Sequence, residues 1–172
     1  GLDEAFEYMP GSYIRQHLAK IAGARPPFEG SHEVNIMVEL GATAPQDTRA
    51  LDDGTVPLVN RLEETLAELM EQGLVVDAVV AKSDAQRAEM WQRREDAAEV
   101  SLTRLPLVNN DIAVPTDKVP EFFRRMAPAL AAIDPEADDS CVAHLGDGNI
   151  HYTVFPTRDD PALKDAIMEA VE

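Results

Sequence analysis

Apolar and polar positions alternate most regularly at Val34, Ile36, Val38 and Leu40, which are separated by Asn35, Met37 and Glu39. That is the period of a half-buried strand. Helical spacing is clearest over residues 60–72, where Leu62, Leu66, Leu69 and Met70 share a face and Gly73 is placed to end the helix. The same reading predicts a strand at 4–9, a helix at 13–21 and a loop at 24–30 punctuated by Pro26, Pro27 and Gly30. Residues 41–56 are polar and turn-rich and read as a loop, and 74–81 read as a strand. Asp84 can cap a helix running to about Val100.

Asn109, Asn110 and Asp111 read as a turn or strand start, followed by a short strand over 111–114 that Pro115 stops. Thr116 or Asp117 then opens a helix carrying Val119, Phe122, Phe123, Met126 and Leu130, which Pro128 should end or kink. Residues 134–139, DPEADD, form an acidic loop. Strands at 140–145 and 150–155 flank the tetrapeptide GDGN, and a last helix starts near Asp160. Strands spaced by helices with a hairpin near the end fit an α+β fold, an antiparallel sheet covered by helices, better than a parallel sheet.

At 172 residues, with 45% hydrophobic and 27% charged side chains, the chain suits one ordinary globular domain with a real core. No run approaches the roughly 18 apolar residues of a membrane helix. The opening GLDEAFEYM does not read as a secretory leader. One cysteine excludes an intramolecular disulfide, so the expected compartment is the cytoplasm. A net charge of −17 argues against nucleic acid as a partner. Any anionic substrate must then be drawn in by a local positive feature, an arginine or a bound cation. The absent initiator Met and the closing PALKDAIMEAVE, a helix still in progress, lead us to expect a piece of a longer polypeptide.

Chemistry concentrates in HLGDGNIHYTVF, residues 144–155. If Gly146 to Asn149 make a four-residue hairpin loop, Leu145 pairs with Ile150 and His144 lies directly opposite His151. Two imidazoles so placed can grip one cation, and neutral imidazole suits zinc and similar borderline metals. Two histidines alone are a weak site, because a catalytic metal usually takes about three protein ligands. A structural hairpin with hydrogen-bonded histidines stays open as the other reading. A phosphate loop fits poorly, since GDGN lacks the Lys-Ser/Thr pair. Asp147 reads as a turn former or as a partner that fixes a histidine tautomer.

In MWQRRED, residues 90–96, Trp91, Arg94 and Ala98 share one helical face, so Arg94 points with Trp91 towards the packed side and Arg93 elsewhere. Arg94 can hold a substrate carboxylate in a bidentate pair, or form a salt bridge, and without further context the salt bridge is favoured. Cys141 reads as a small buried hydrophobe. His17 and His32 read as solvated.

HLGDGNIHYTVF resembles the H-x-G-D-G-N-x-H motif of the FAD-linked oxidase C-terminal (cap) domain, found in D-lactate, glycolate and D-2-hydroxyglutarate dehydrogenases of the vanillyl-alcohol oxidase superfamily. AFEYM, RPPFEGSHEVNIMVEL, WQRRE and NNDIAVPTDKVPEFFRRM follow in that family's order, so the resemblance spans nearly the whole chain. It implies a ferredoxin-like cap over residues 1–172 that covers the flavin of a separate N-terminal FAD domain. It implies His144 and His151 as ligands of a divalent metal, often zinc, with a third ligand, a Glu, in a later segment. It implies Arg94 as a contact to the carboxylate of a small 2-hydroxy acid, with Asn149 and Thr153 near enough to assist. His151 could act as the catalytic base only when unligated. A homodimer is compatible with the resemblance.

Three positions depart from some members: Ala98 in place of Thr, Asn109 in place of Lys, and Thr153 in place of Asn. They argue against reading the substrate as D-2-hydroxyglutarate is read. The other classes left open are a non-catalytic ferredoxin-like module binding a metal or partner, and a flavoenzyme of the same fold with a different substrate.

Overall fold

A computed structural model describes residues 3–102 and 104–171. The elements run β1 (Asp3–Pro10), α1 (Gly11–Lys20), β2 (Val34–Leu40), α2 (Pro45–Thr48), α3 (Pro57–Glu71), α4 (Asp84–Glu95), α5 (Ala97–Ser101), β3 (Val108–Ala113), α6 (Val119–Ile133), β4 (Asp138–His144), β5 (Asn149–Phe155) and α7 (Pro161–Val171). The strands form one sheet in the order β2-β1-β4-β5-β3, with every neighbouring pair antiparallel. The expected α+β architecture, an antiparallel sheet covered by helices, is the one observed.

Because side chains alternate across a strand, each strand contributes to two different layers. Val108, Cys141, Ala143, Ile150, Tyr152 and Val154 lie against Val119, Met126 and Leu130 of α6 and Leu163, Ile167 and Val171 of α7. On the opposite face, Met9, Met37 and Val142 pack against Tyr13 and Ile14 of α1, Ala97 and Val100 of α5, and Met90 and Trp91 of α4. Each fully buried aliphatic or aromatic side chain contributes about 1.5–3 kcal/mol, so the first layer is the main anchor of the domain. The second layer stops short of β3 and the end of β5.

Several expected elements differ. Residues 74–81 are not a strand: they follow α3 unpaired, with Leu74 and Val76 largely exposed. A strand needs a partner strand, and among the described residues this segment pairs with none, although Val75, Ala78, Val80 and Ala81 are half-buried. The helix expected from Asp84 to Val100 is broken at Asp96 into α4 and α5, and its cap is Ser83, whose hydroxyl accepts from the Gln86 amide. The break puts Ala97 in the core and leaves Ala98 exposed, so Ala98 does not continue the Trp91–Arg94 face.

Of the two readings of Asn109 and Asn110, the strand start holds, since they open β3 behind Val108, and a short helix, α2, interrupts the loop expected over 41–56. Helix α6 is preceded by a 3-10 turn at Thr116–Lys118 and runs through Pro128 instead of ending there. Pro57 opens α3 three residues before the predicted start, where its missing N–H costs nothing, and Gly73 in left-handed backbone (φ +70°) ends it as expected. Among the described residues no helix is long and apolar enough to cross a membrane.

Candidate functional site

The hairpin between β4 and β5 turns through Leu145, Gly146, Asp147 and Gly148. His144 therefore pairs with Asn149, and His151 lies opposite Val142. This corrects the expected register, in which Leu145 pairs with Ile150 and His144 directly faces His151. Gly148 fixes the observed turn. Its φ is +78°, and a Cβ there would collide with the Val114 carbonyl oxygen. The Val114 amide instead donates to the Gly148 carbonyl at 3.0 Å. Asp147 completes the turn, its Oδ1 accepting from the Asn149 amide at 3.0 Å, so the turn-former reading describes what it does.

The register moves by an even step, so His144 and His151 still share a face of the sheet, now as diagonal neighbours. Their rings meet edge to face, with centroids 5.2 Å apart and an interplanar angle of 81°. The side chains are 39% and 37% exposed, open enough for a ligand to reach both. Burial is the main cause holding the His151 imidazole below its usual range, with Arg94 and His144 adding to it and Asp111 and Glu7 opposing. His151 Nδ1 stands 3.4 Å from Asp111 Oδ1, whose oxygen also accepts from the Asn149 side-chain amide at 2.8 Å. The carbonyl oxygen of that same Asn149 amide is buried without a hydrogen-bond partner among the described residues.

Helix α4 brings Arg94 onto this face. Its Nε donates to Glu7 Oε2 at 2.7 Å, and its Nη2 lies 3.2 Å from His144 Nε2. Arg94 is thus both salt-bridged, to a strand glutamate, and turned towards the histidines. Trp91, one turn earlier on α4, donates its indole N–H to Glu39, which also accepts from Arg87. Arg93 points the other way, as expected, but is buried as well and donates to the Arg25 carbonyl. Thr153 is buried two residues beyond His151, and its hydroxyl donates to Asn109 Oδ1 at 2.7 Å. The structure therefore brings His144, His151 and Arg94 together on one face of the sheet, with Asn149 joined to His151 through Asp111, while Thr153 is buried further along β5.

Two residues escaped the sequence reading. Glu7 is buried between Arg94 and His144, and it accepts from both. The available signal was its place between Ala5 and Met9 on the inward side of a strand, together with a buried arginine that needs an anion. His17, expected to be solvated, is buried: its Nε2 lies 2.8 Å from Asp96 Oδ2 and its Nδ1 has no hydrogen-bond partner among the described residues. It follows Tyr13 and Ile14 at helical spacing, so the buried face of α1 was readable. His32 is half-buried too, edge-on to Phe28. Cys141 is buried as expected, and burial pushes its thiol well above the usual range.

Among the described residues no group of three or more His, Cys, Asp or Glu is placed to hold a metal ion. The donors available to a cation on this face are two imidazoles. Residues 51–172 match the family described as FAD linked oxidases, C-terminal domain. The chain is 32% identical over 152 residues to a D-2-hydroxyglutarate dehydrogenase of Xanthomonas citri pv. viticola, a match covering 88% of this chain and 29% of that protein. It is 28% identical over 157 residues to a D-2-hydroxyglutarate dehydrogenase of Stutzerimonas stutzeri, covering 88% and 30%. It is 25% identical over 150 residues to a mitochondrial D-2-hydroxyglutarate dehydrogenase of Arabidopsis thaliana, covering 87% and 24%. The chain spans less than a third of the length of these relatives.

Proposed function

This chain belongs to the family of FAD linked oxidase C-terminal domains, and from that premise we propose that residues 1–172 are the substrate-facing cap of a flavin-dependent dehydrogenase that oxidises a D-2-hydroxy acid to the 2-oxo acid. The observation that carries the reading is the convergence of Arg94, His144, His151 and an unsatisfied Asn149 oxygen on the half-open face of the sheet. In a chain of net charge −17, Arg94 is the local cation that an anionic substrate requires. The FAD is held by a separate N-terminal domain, and the cap closes over it.

Arg94 binds the substrate carboxylate with the guanidinium N–H groups that Glu7 and His144 leave available. Asn149, joined to His151 through Asp111, assists in holding the substrate, and Thr153 backs His151 from its buried place on β5. His144 and His151 hold a divalent cation, zinc by donor type, with a third ligand supplied from beyond this chain. The depressed pKa of His151 suits this role, because it keeps the imidazole neutral and its lone pair available. A bound cation would supply a lowered pKa for the substrate hydroxyl, and a bound flavin would supply the acceptor for the C2 hydride. The hydroxyl proton goes to a base, and His151 fills that role only if it is not a metal ligand. Residues 1–172 by themselves are expected not to turn over. The lone buried thiol of Cys141 supports a reducing compartment such as the cytoplasm.

The test is metal analysis and D-2-hydroxy acid oxidation by the intact polypeptide and its His144→Ala variant. The wild type is expected to carry one divalent ion per chain and the variant to lose both ion and activity. Unchanged metal content in the variant would remove His144 from the site, and a wild type inactive on all 2-hydroxy acids would remove the dehydrogenase reading.

A further inference from the structure

We propose that Glu7 is a positioning residue that sets, through one carboxylate, both the tautomer of His144 and the aim of Arg94. The inference rests on the reading of this face as the substrate site, and adds to it a residue that binds neither substrate nor metal. Glu7 lies directly across from His144 where β1 meets β4, and only 4% of it is exposed. The Leu145 amide donates to the Phe6 carbonyl at 2.7 Å beside it, so the backbone on both sides of Glu7 is pinned.

One carboxylate holds both partners. His144 Nδ1 stands 2.8 Å from each of its oxygens, and Oε2 also accepts from Arg94 Nε at 2.7 Å. A buried carboxylate only accepts, so it places the His144 proton on Nδ1 and leaves the Nε2 lone pair as an acceptor. Arg94 Nη2 donates to that lone pair at 3.2 Å, which agrees with the same tautomer. A carboxylate on the far nitrogen is the arrangement that orients metal-binding histidines in general. Using Nε for Glu7 and one Nη2 N–H for His144 leaves Nη1 and the second Nη2 N–H of Arg94 for a ligand and fixes the plane of the fork. The anion grip and the imidazole lone pair are therefore held at a fixed offset by one side chain.

The carboxylate charge state is what matters, which separates this role from plain packing. Gln at position 7 has nearly the same shape but offers one acceptor and one donor. Its single oxygen has to serve both partners, and its amide N–H then stands where Oε1 meets the His144 Nδ1 proton and opposes it. Asp is one methylene too short to reach both.

The experiment compares the intact flavoprotein with its Glu7→Gln variant, using Zn2+ affinity by chelator competition and the separate values of KM and kcat for a 2-hydroxy acid. Loss of the carboxylate is expected to weaken Zn2+ binding by about 10–100-fold. KM should rise at least several-fold, with flavin content unchanged. A folded variant whose Zn2+ affinity and KM stay within twofold of wild type overturns the proposal.

A measurement on the wild type covers the case where the variant does not fold. Histidine 15N chemical shifts of the metal-free enzyme should place the His144 proton on Nδ1, and a proton on Nε2 overturns the proposal. If the wild type binds no Zn2+ but His144 is protonated at Nδ1, the metal reading fails while the Glu7 assignment stands.

Discussion

The two faces of the sheet are built from the same strands and do opposite things. In β5, Ile150, Tyr152 and Val154 point into the layer closed by α6 and α7, while Asn149, His151 and Thr153 point to the other side. The closed face is apolar and continuous, with Phe122 edge-on to Tyr152 at 5.6 Å. The other face is covered by α1, α4 and α5 only as far as Arg94, and beyond that it carries Glu7, His144, His151 and Asp111. One strand thus supplies the scaffold and the chemistry in alternate residues. The hairpin turn can shift register by two without moving any residue between them, whereas a shift of one would exchange the two sets.

The strongest way to break this comparison is to damage the closed face. Ile150→Ala removes a fully buried side chain from the α6/α7 layer and is expected to destabilise the protein by about 3 kcal/mol in urea unfolding. In the protein that remains folded, KM should be unchanged. A loss below about 1 kcal/mol would mean that the closed face is not the anchor. A smaller effect is expected from Thr153→Val on the other face. It strands the Asn109 oxygen and should cost about 1 kcal/mol of stability while changing KM for the hydroxy acid. An unchanged KM would place Thr153 outside the pocket.

The smallest effect concerns the rim of α4. Hydrogen bonding to Arg87 is the main cause holding the Glu39 carboxylate below its ordinary value of 4.5, helped by Trp91. A lowered carboxylate pKa stabilises the fold above the unfolded value, and the contribution is lost as pH falls through the folded value. Glu39→Gln should therefore cost about half a kcal/mol near neutral pH, as a partly exposed pair does, and nothing once the pH is below the lowered pKa. A difference that grows on acidification would reverse the assignment.

Much of this contrast was legible in the sequence. Alternation in 34–40 and the two strands around the glycine turn fixed the antiparallel sheet, and HLGDGNIH located the histidines on one face even though the register was off by two. The turn was misplaced because Asn149 reads as a turn residue, whereas Asp147 and Gly148 supply the turn chemistry. Glu7 was missed because a single acidic residue in a short strand carries no periodicity, and its meaning comes from Arg94, 87 residues away. The break at Asp96 was equally hidden. Asp96 ends α4 while its carboxylate accepts from Gln92 and stands against His17, both tertiary or local side-chain effects that outweigh helical spacing. The segment 74–81 has the composition of a strand but no partner strand among the described residues.

The central claim is that the half-open face is where a 2-hydroxy acid meets the flavin. Anaerobic stopped-flow measurement of flavin absorbance in the intact polypeptide, mixed with D-2-hydroxy acids, tests it most directly when the wild type is set beside Arg94→Lys. The account predicts rapid bleaching in the wild type. In the variant, half-saturation should move at least tenfold higher, because lysine keeps the charge but loses the two-pronged grip. Bleaching with the same concentration dependence in both proteins, or none with any 2-hydroxy acid in the wild type, would contradict it.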